Sequence, residues 1–139
     1  MKKRRHLGQS LIEFALIIRL VLFLLLGFFD LGRAVFYYSS LSNAVREGTR
    51  YAIVNKGIED EEIKDKIIEY AFALADTPNP LNRDEITIIF LPEGNTKKTN
   101  ISITATYTFT PVTPGINLIA PSGITLEVQS TMRIPAHAR

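Results

Sequence analysis

The sequence predicts an α+β chain. One long amino-terminal helix, half of it in a membrane and half amphipathic, is followed by a second helix and a three-stranded antiparallel sheet packed on the long helix. Three observations predict this. Residues 11–29 are nineteen positions, all apolar or Gly except Glu13 and Arg19, about the length an α-helix needs to cross the hydrocarbon core of a bilayer. Residues 30–55 hold no Pro, and Leu31, Val35, Tyr38, Leu41, Val45, Thr49 and Ala52 recur every three or four positions, the period of one helix face. Residues 100–110 and 123–134 alternate apolar and polar side chains, the period-two signature of half-buried strands.

The chain opens on MKKRRH, with four fixed positive charges ahead of the apolar run. By the positive-inside rule that end stays in the cytoplasm and the chain beyond the span is exported. Three readings of this start compete. A cleavable secretory signal needs a small-residue site of the A-x-A kind after the apolar run, and GFFDLGRAVFYYSS offers none of good quality. A plain signal anchor explains the charges and the length but leaves Gly8 and Glu13 as accidents. In the third reading Gly8 is the small residue at which a peptidase on the cytoplasmic membrane face removes the basic leader. Gln9 then becomes the new terminus and Glu13 its fifth residue. A charge at the centre of a membrane helix costs about 2.5 to 3.5 kcal/mol on the more lenient scales, so Glu13 needs either hydrated headgroups nearby or a partner. A freed Gln9 amine on a neighbouring copy is such a partner, because opposite charges attract strongly at low effective dielectric.

The resulting division is a leader at 1–8, a transmembrane half-helix at 9–29 and an exported domain at 30–139. The long helix runs about 45 residues at the ~1.5 Å rise of an α-helix and ends at Lys56 and Gly57, Gly being common just past a helix C-terminus. A second helix is expected from Ile58 or Glu59 to about Ala75. Its acidic start, Glu59 to Glu62, complements the helix dipole, and Ile63, Ile67, Tyr70, Ala71 and Leu74 form its buried side. That acidic run lacks the loop and turn-making Gly of a calcium site and reads as a solvated helix start. Pro78 and Pro80 lead to strands at 85–91, 100–110 and 123–134. Residues 92–99 make an exposed hairpin connection between the first two. Residues 111–123, with three prolines and an apolar centre at Ile116, Leu118 and Ile119, are either a packed-down loop or an exposed tip that meets the membrane surface or a partner subunit.

Composition excludes several classes of activity. The formal charge is +2, and removing the four leader charges leaves −2, so the basicity belongs to the leader and does not mark a nucleic-acid-binding face. There is no Cys, hence no disulfide and no thiolate zinc site. His6 lies in the leader and His137 near the end, which leaves no histidine within the fold for a catalytic triad. Gly27 and Gly32 are not followed by the Lys-Ser or Lys-Thr of a phosphate-binding loop. No enzyme activity and no cofactor or metal is expected. Asp30 with Arg33 and Glu47 with Arg50 are spaced i, i+3 and read as surface pairs, worth a few tenths of a kcal/mol each. Phe36, Tyr37 and Tyr38 read either as an aromatic belt at the outer headgroups or, for one of them, as core.

The stretch GQSLIEFALIIRL followed by LLLGFFDLGRAVFYYSSLSNAVREGTRYA resembles the TadE-like family, pilin-related proteins of tight-adherence (Flp, type IVb) pilus systems, and more broadly the prepilin class III signal. The resemblance rests on Gly8, Glu13 and Phe14, continues at Gly27, Asp30, Gly32 and Arg33, and resumes at Asn43, Ala44, Arg46, Glu47, Gly48, Arg50, Tyr51 and Ala52. The closing ITLEVQSTMRI is also similar to the family's last strand. Members usually carry a Pro where this sequence has Arg19, which puts the expected helix kink in question. The resemblance implies a pilin-like fold and a minor pilin or pseudopilin, cut after Gly8 by a prepilin-type peptidase. It further implies assembly with other pilin subunits through the amino-terminal helix, at a pilus or its membrane platform. The alternative is an unprocessed, single-pass anchored domain that binds a partner outside the cytoplasm.

Overall fold

The computed structural model describes residues 4–55, 57–92, 98–116 and 120–134. Helix α1 runs without interruption over Arg4–Val54, a little longer than the pattern predicts, and it passes through Arg19 with no break. It ends before Gly57, whose φ of 74° is the left-handed conformation that glycine adopts at low cost; Lys56 lies outside the described residues. Helix α2 covers Asp60–Tyr70, with Asp60, Glu61 and Glu62 in its first turn. It is shorter than expected, because the chain tightens into a 3-10 turn at Phe72–Leu74. A second 3-10 turn at Arg83–Glu85 leads into the sheet.

The strands are β1 at Ile86–Pro92, β2 at Lys98–Phe109 and β3 at Ile124–Arg133. They form one antiparallel meander in the order β1, β2, β3. Its register sets Ile88 opposite Ile103 and Ala105 opposite Val128. The five alternating residues Ile101, Ile103, Ala105, Tyr107 and Phe109 are all buried, as period two requires of a central strand with one covered face. Leu41, Ala44 and Val45 of α1 lie in one buried core with these residues, and it is α1 that packs against β2 and β3, as expected, while α2 packs on α1.

Helix α2 lies close against α1 because Gly48 has no side chain. A Cβ at that position would run into Cγ1 of Ile67. On the same face the buried Thr49 hydroxyl donates to the Val45 carbonyl at 2.6 Å, so it brings no unpaired polar group into the core. The helices are also tied by Tyr51, whose hydroxyl donates to Glu62 at 2.8 Å. Arg83 grips Asp65 of α2 with two hydrogen bonds of 2.6 and 2.7 Å.

The buried stripe of α1 differs from the expected one in its upper part. Leu41, Val45 and Thr49 are fully buried as predicted, but Leu31, Val35 and Tyr38 are exposed, Leu31 at 61%. The covered residues are Asp30, Ala34 and Tyr37 instead. One turn before Leu41, the same helix face is reached equally well at position 38 or position 37, and both are Tyr. Tyr37 is chosen because its ring packs edge-on against Tyr107 and Phe109, with centroids 5.9 Å from each. Of the three aromatics at 36–38 it is therefore Tyr37 that joins the core, while Phe36 and Tyr38 remain exposed.

Candidate functional site

The residues singled out in the sequence lie on the first half of α1. Every residue from Gly8 to Phe29 is exposed except Gly27, which is partly covered. Among the described residues none buries its most apolar stretch, and by length and composition the helix could cross a membrane. From residue 9 to residue 29 it spans about 31 Å at 1.5 Å per residue, which matches the ~30 Å hydrocarbon core.

Gly8 is exposed with open space around its Cα, so the Gly8–Gln9 bond is not screened by the folded domain. One turn on, the Gln9 side-chain amide donates to Glu13 at 3.2 Å, which places these two residues on one edge of the helix. Arg19 is not brought to them. Six residues turn the helix by about 240° and advance it about 9 Å, and among the described residues no ion pair joins Glu13 and Arg19. Arg19 instead opens onto a groove between α1 and the loop after β2.

Asp30 is where the structure departs most from the sequence reading. It is no surface pair. Only 5% exposed, its carboxylate accepts from the backbone N–H of Val112 at 2.9 Å, from the N–H of Thr113 at 2.7 Å and from the Thr113 hydroxyl at 2.5 Å. Arg33 completes the set at 3.1 Å, and its guanidinium lies over the rings of Tyr37 and Phe109 at 5.6 and 5.4 Å. Burial alone would raise the Asp30 pKa. The Thr113 hydroxyl, the two backbone N–H groups and Arg33 outweigh it and hold the carboxyl below its ordinary value, because each favours the charged form. The only sequence signal of this site is an acid that ends the apolar run; its partners lie 82 and 83 residues away.

Glu47 and Arg50 do form the expected exposed pair, at 3.8 Å. Below them a second apolar stripe remains uncovered: Phe28, Leu31, Val35 and Tyr38 succeed one another at three- and four-residue steps and continue the surface of the span past Asp30.

No curated protein and no solved structure gives a significant match to the chain. A family model, that of the TadE-like protein, matches residues 8–50. Those residues begin at Gly8, include the whole apolar half of α1 and the Asp30 junction, and end two residues past the helix contact made by Gly48. Over residues 8–50 the chain thus matches the TadE-like family that these residues resemble in sequence.

Proposed function

We propose that the chain is a structural subunit of a tight-adherence (Flp, type IVb) pilus system, a TadE-like minor pilin or pseudopilin that acts in assembling the pilus or its membrane platform. The observation that carries this proposal is the family match over residues 8–50, which starts at the small residue separating basic leader from apolar helix. In this reading a prepilin-type peptidase cuts after Gly8. The helix stays in the cytoplasmic membrane with its amino end on the cytoplasmic side, and the domain at 30–139 faces outward, possession of a free Gln9 amine distinguishing the processed form. The protein's work is association, not catalysis.

Two features support assembly through α1. The uncovered stripe of Phe28, Leu31, Val35 and Tyr38 gives a neighbouring helix apolar surface that continues past the end of the span. Within the bilayer, parallel helices staggered by about 9 Å bring Arg19 of one copy level with Glu13 of the next, while the Gln9 amine of another copy lies within reach of the same carboxylate. Such a head-to-tail contact does not close on itself, the geometry that builds helical filaments.

The charges provide the test. Glu13→Ala and Arg19→Ala each lower co-isolation of tagged and untagged subunits while leaving the protein in the membrane fraction, since breaking one partner of a buried pair costs about 3 to 5 kcal/mol. Exchanging the two residues, Glu13→Arg with Arg19→Glu, recovers part of the loss. If Arg19→Leu assembles as well as the unaltered protein, the pairing is wrong and Arg19 extends its stem towards the headgroups instead. If Glu13→Ala also assembles fully, assembly through this helix is wrong as well.

A further inference from the structure

We propose that the loop between β2 and β3 is a second membrane contact, in which Val112, Pro114 and Ile116 rest in the interfacial layer of the leaflet on the side of the folded domain. This rests on residues 9–29 being the membrane span.

Asp30 sets the depth of the loop. By holding the Val112 and Thr113 amides it fixes the loop to the helix at the rung where the apolar run ends. Past Thr113 the chain turns towards the span. Pro114 and Gly115 face Leu16, Leu20, Phe23 and Leu26 across an apolar groove of about 630 Å³, with Arg19 on the same wall. Along the helix axis the α1 wall of the groove runs from Leu26, about 6 Å below Asp30, to Leu16, about 21 Å below, at 1.5 Å per residue. A groove with these walls lies at the height of the lipid, and acyl chains are the chemistry that fills it.

The loop is built for such a place. No charged side chain occurs anywhere in residues 101–126, so the loop itself adds no ion to lipid. Val112 is 67% exposed among the described residues, while Thr113 next to it is buried with its hydroxyl on Asp30. Apolar groups thus point outward and the polar one points inward, the reverse of a loop made to face water.

The backbone meets the same requirement. Irregular chain is excluded from lipid chiefly by its unpaired N–H groups. Between residues 111 and 116, Pro111 and Pro114 have no N–H, those of Val112 and Thr113 are bound by Asp30, and that of Ile116 is directed at the Thr113 carbonyl at 3.4 Å, which leaves the Gly115 N–H for the hydrated headgroups. The Asp30 carboxylate therefore does two things at once: it ties the loop down and occupies two of the donors that would keep it in water. Interfacial elements of this kind settle about 5–10 Å into the boundary between headgroups and acyl chains.

The test uses the full-length protein, which has no cysteine of its own. Three single-cysteine variants, Val112→Cys, Leu22→Cys and Glu59→Cys, are labelled with an environment-sensitive fluorophore. Each is reconstituted at low protein-to-lipid ratio in phosphatidylcholine vesicles, with and without lipid carrying a nitroxide near the top of its acyl chain. The expected result is that labels at 112 and 22 each lose about half of their emission to the nitroxide lipid, as a site at interfacial depth or below should, while the label at 59 is unchanged. If the label at 22 is quenched and that at 112 is not, and iodide in the water reaches 112, the loop proposal is overturned and the span stands. If neither is quenched, the span itself is wrong and the proposal goes with it. If 112 is shielded from both quenchers, protein rather than lipid covers the loop, which also overturns the proposal.

Discussion

The two halves of α1 are one continuous helix in two unlike surroundings. From Gly8 to Phe29 no residue is buried; from Asp30 to Ile53 the helix carries one wall of the core, with Leu41, Ala44 and Val45 at 0% exposure. The first half is apolar all round apart from Glu13 and Arg19 and is long and apolar enough to cross a membrane, and the second is apolar on a stripe, as a helix covering a sheet must be. The boundary between them is held by a single side chain. Asp30, the first residue past the apolar run, accepts from three donors of the β2–β3 loop, so the folded domain is fastened to α1 where the apolar run ends.

The sharpest way to break this comparison is to make the same substitution on the two faces of the second half. Leu41→Ala should destabilise the domain by about 2 to 5 kcal/mol, the usual range for a large-to-small change in a core. Leu31→Ala, at a position 61% exposed, should stay within about 0.5 kcal/mol, as surface substitutions do. Urea unfolding of the purified protein in detergent, monitored by circular dichroism, measures both. Equal losses would mean that the buried face has been assigned wrongly.

Next in size is the junction. Asp30→Ala leaves the Val112 and Thr113 amides and the Thr113 hydroxyl without their acceptor, at a cost of about 3 kcal/mol for hydrogen bonds to a charged group. The pH dependence has a definite sign. Because the carboxyl is held below its ordinary value, its contribution is complete above the unfolded value of about 3.9 and is lost as pH falls through the folded value. Unfolding measured from neutral to acid pH should show a loss in the unaltered protein that Asp30→Asn lacks in part. Identical pH profiles would remove Asp30 from its anchoring role.

Smaller again is the helix contact. Gly48→Ala places a methyl group against Ile67 and should cost about 1 to 3 kcal/mol, the range for an overfilled core, read as a lowered urea midpoint. In an Ile67→Ala background, which removes the Cγ1 in the way, Gly48→Ala should cost less than it does in the unaltered protein; an equal cost would mean that the helices are not packed at Gly48.

The α+β class was legible because each of its elements repeats a pattern over many residues. The alternation at 101–109 placed five side chains on the core face, and the apolar run marked the half of α1 that is long and apolar enough to cross a membrane. What stayed hidden depends on single contacts between distant parts. A Tyr at both 37 and 38 made the upper stripe ambiguous until Tyr107 and Phe109 selected one of them. Asp30 looked like an ordinary i, i+3 partner of Arg33, since backbone amides 82 residues later carry no side-chain signature. Gly48, within a helix, gave no sign from spacing that Ile67 needs its space. In the expected loop at 111–123 Thr113 is packed down and Val112 is exposed, while of the apolar centre Ile116 is partly covered and Leu118 and Ile119 lie outside the described residues. For the span the reverse holds. Glu13 and Arg19 stood out in the sequence as charges in an apolar run, and under the proposed assembly their partners belong to neighbouring copies.

The first half of α1 has its proposed role only if it is the processed helix of a pilus subunit, and intact mass reports that directly. Protein isolated from membranes and from the sheared extracellular fraction of cells that carry a prepilin-type peptidase should have the mass of residues 9–139. Gly8→Leu should leave the mass of residues 1–139 and confine the protein to the membrane. The full-length mass for the unaltered protein in both fractions would contradict the account.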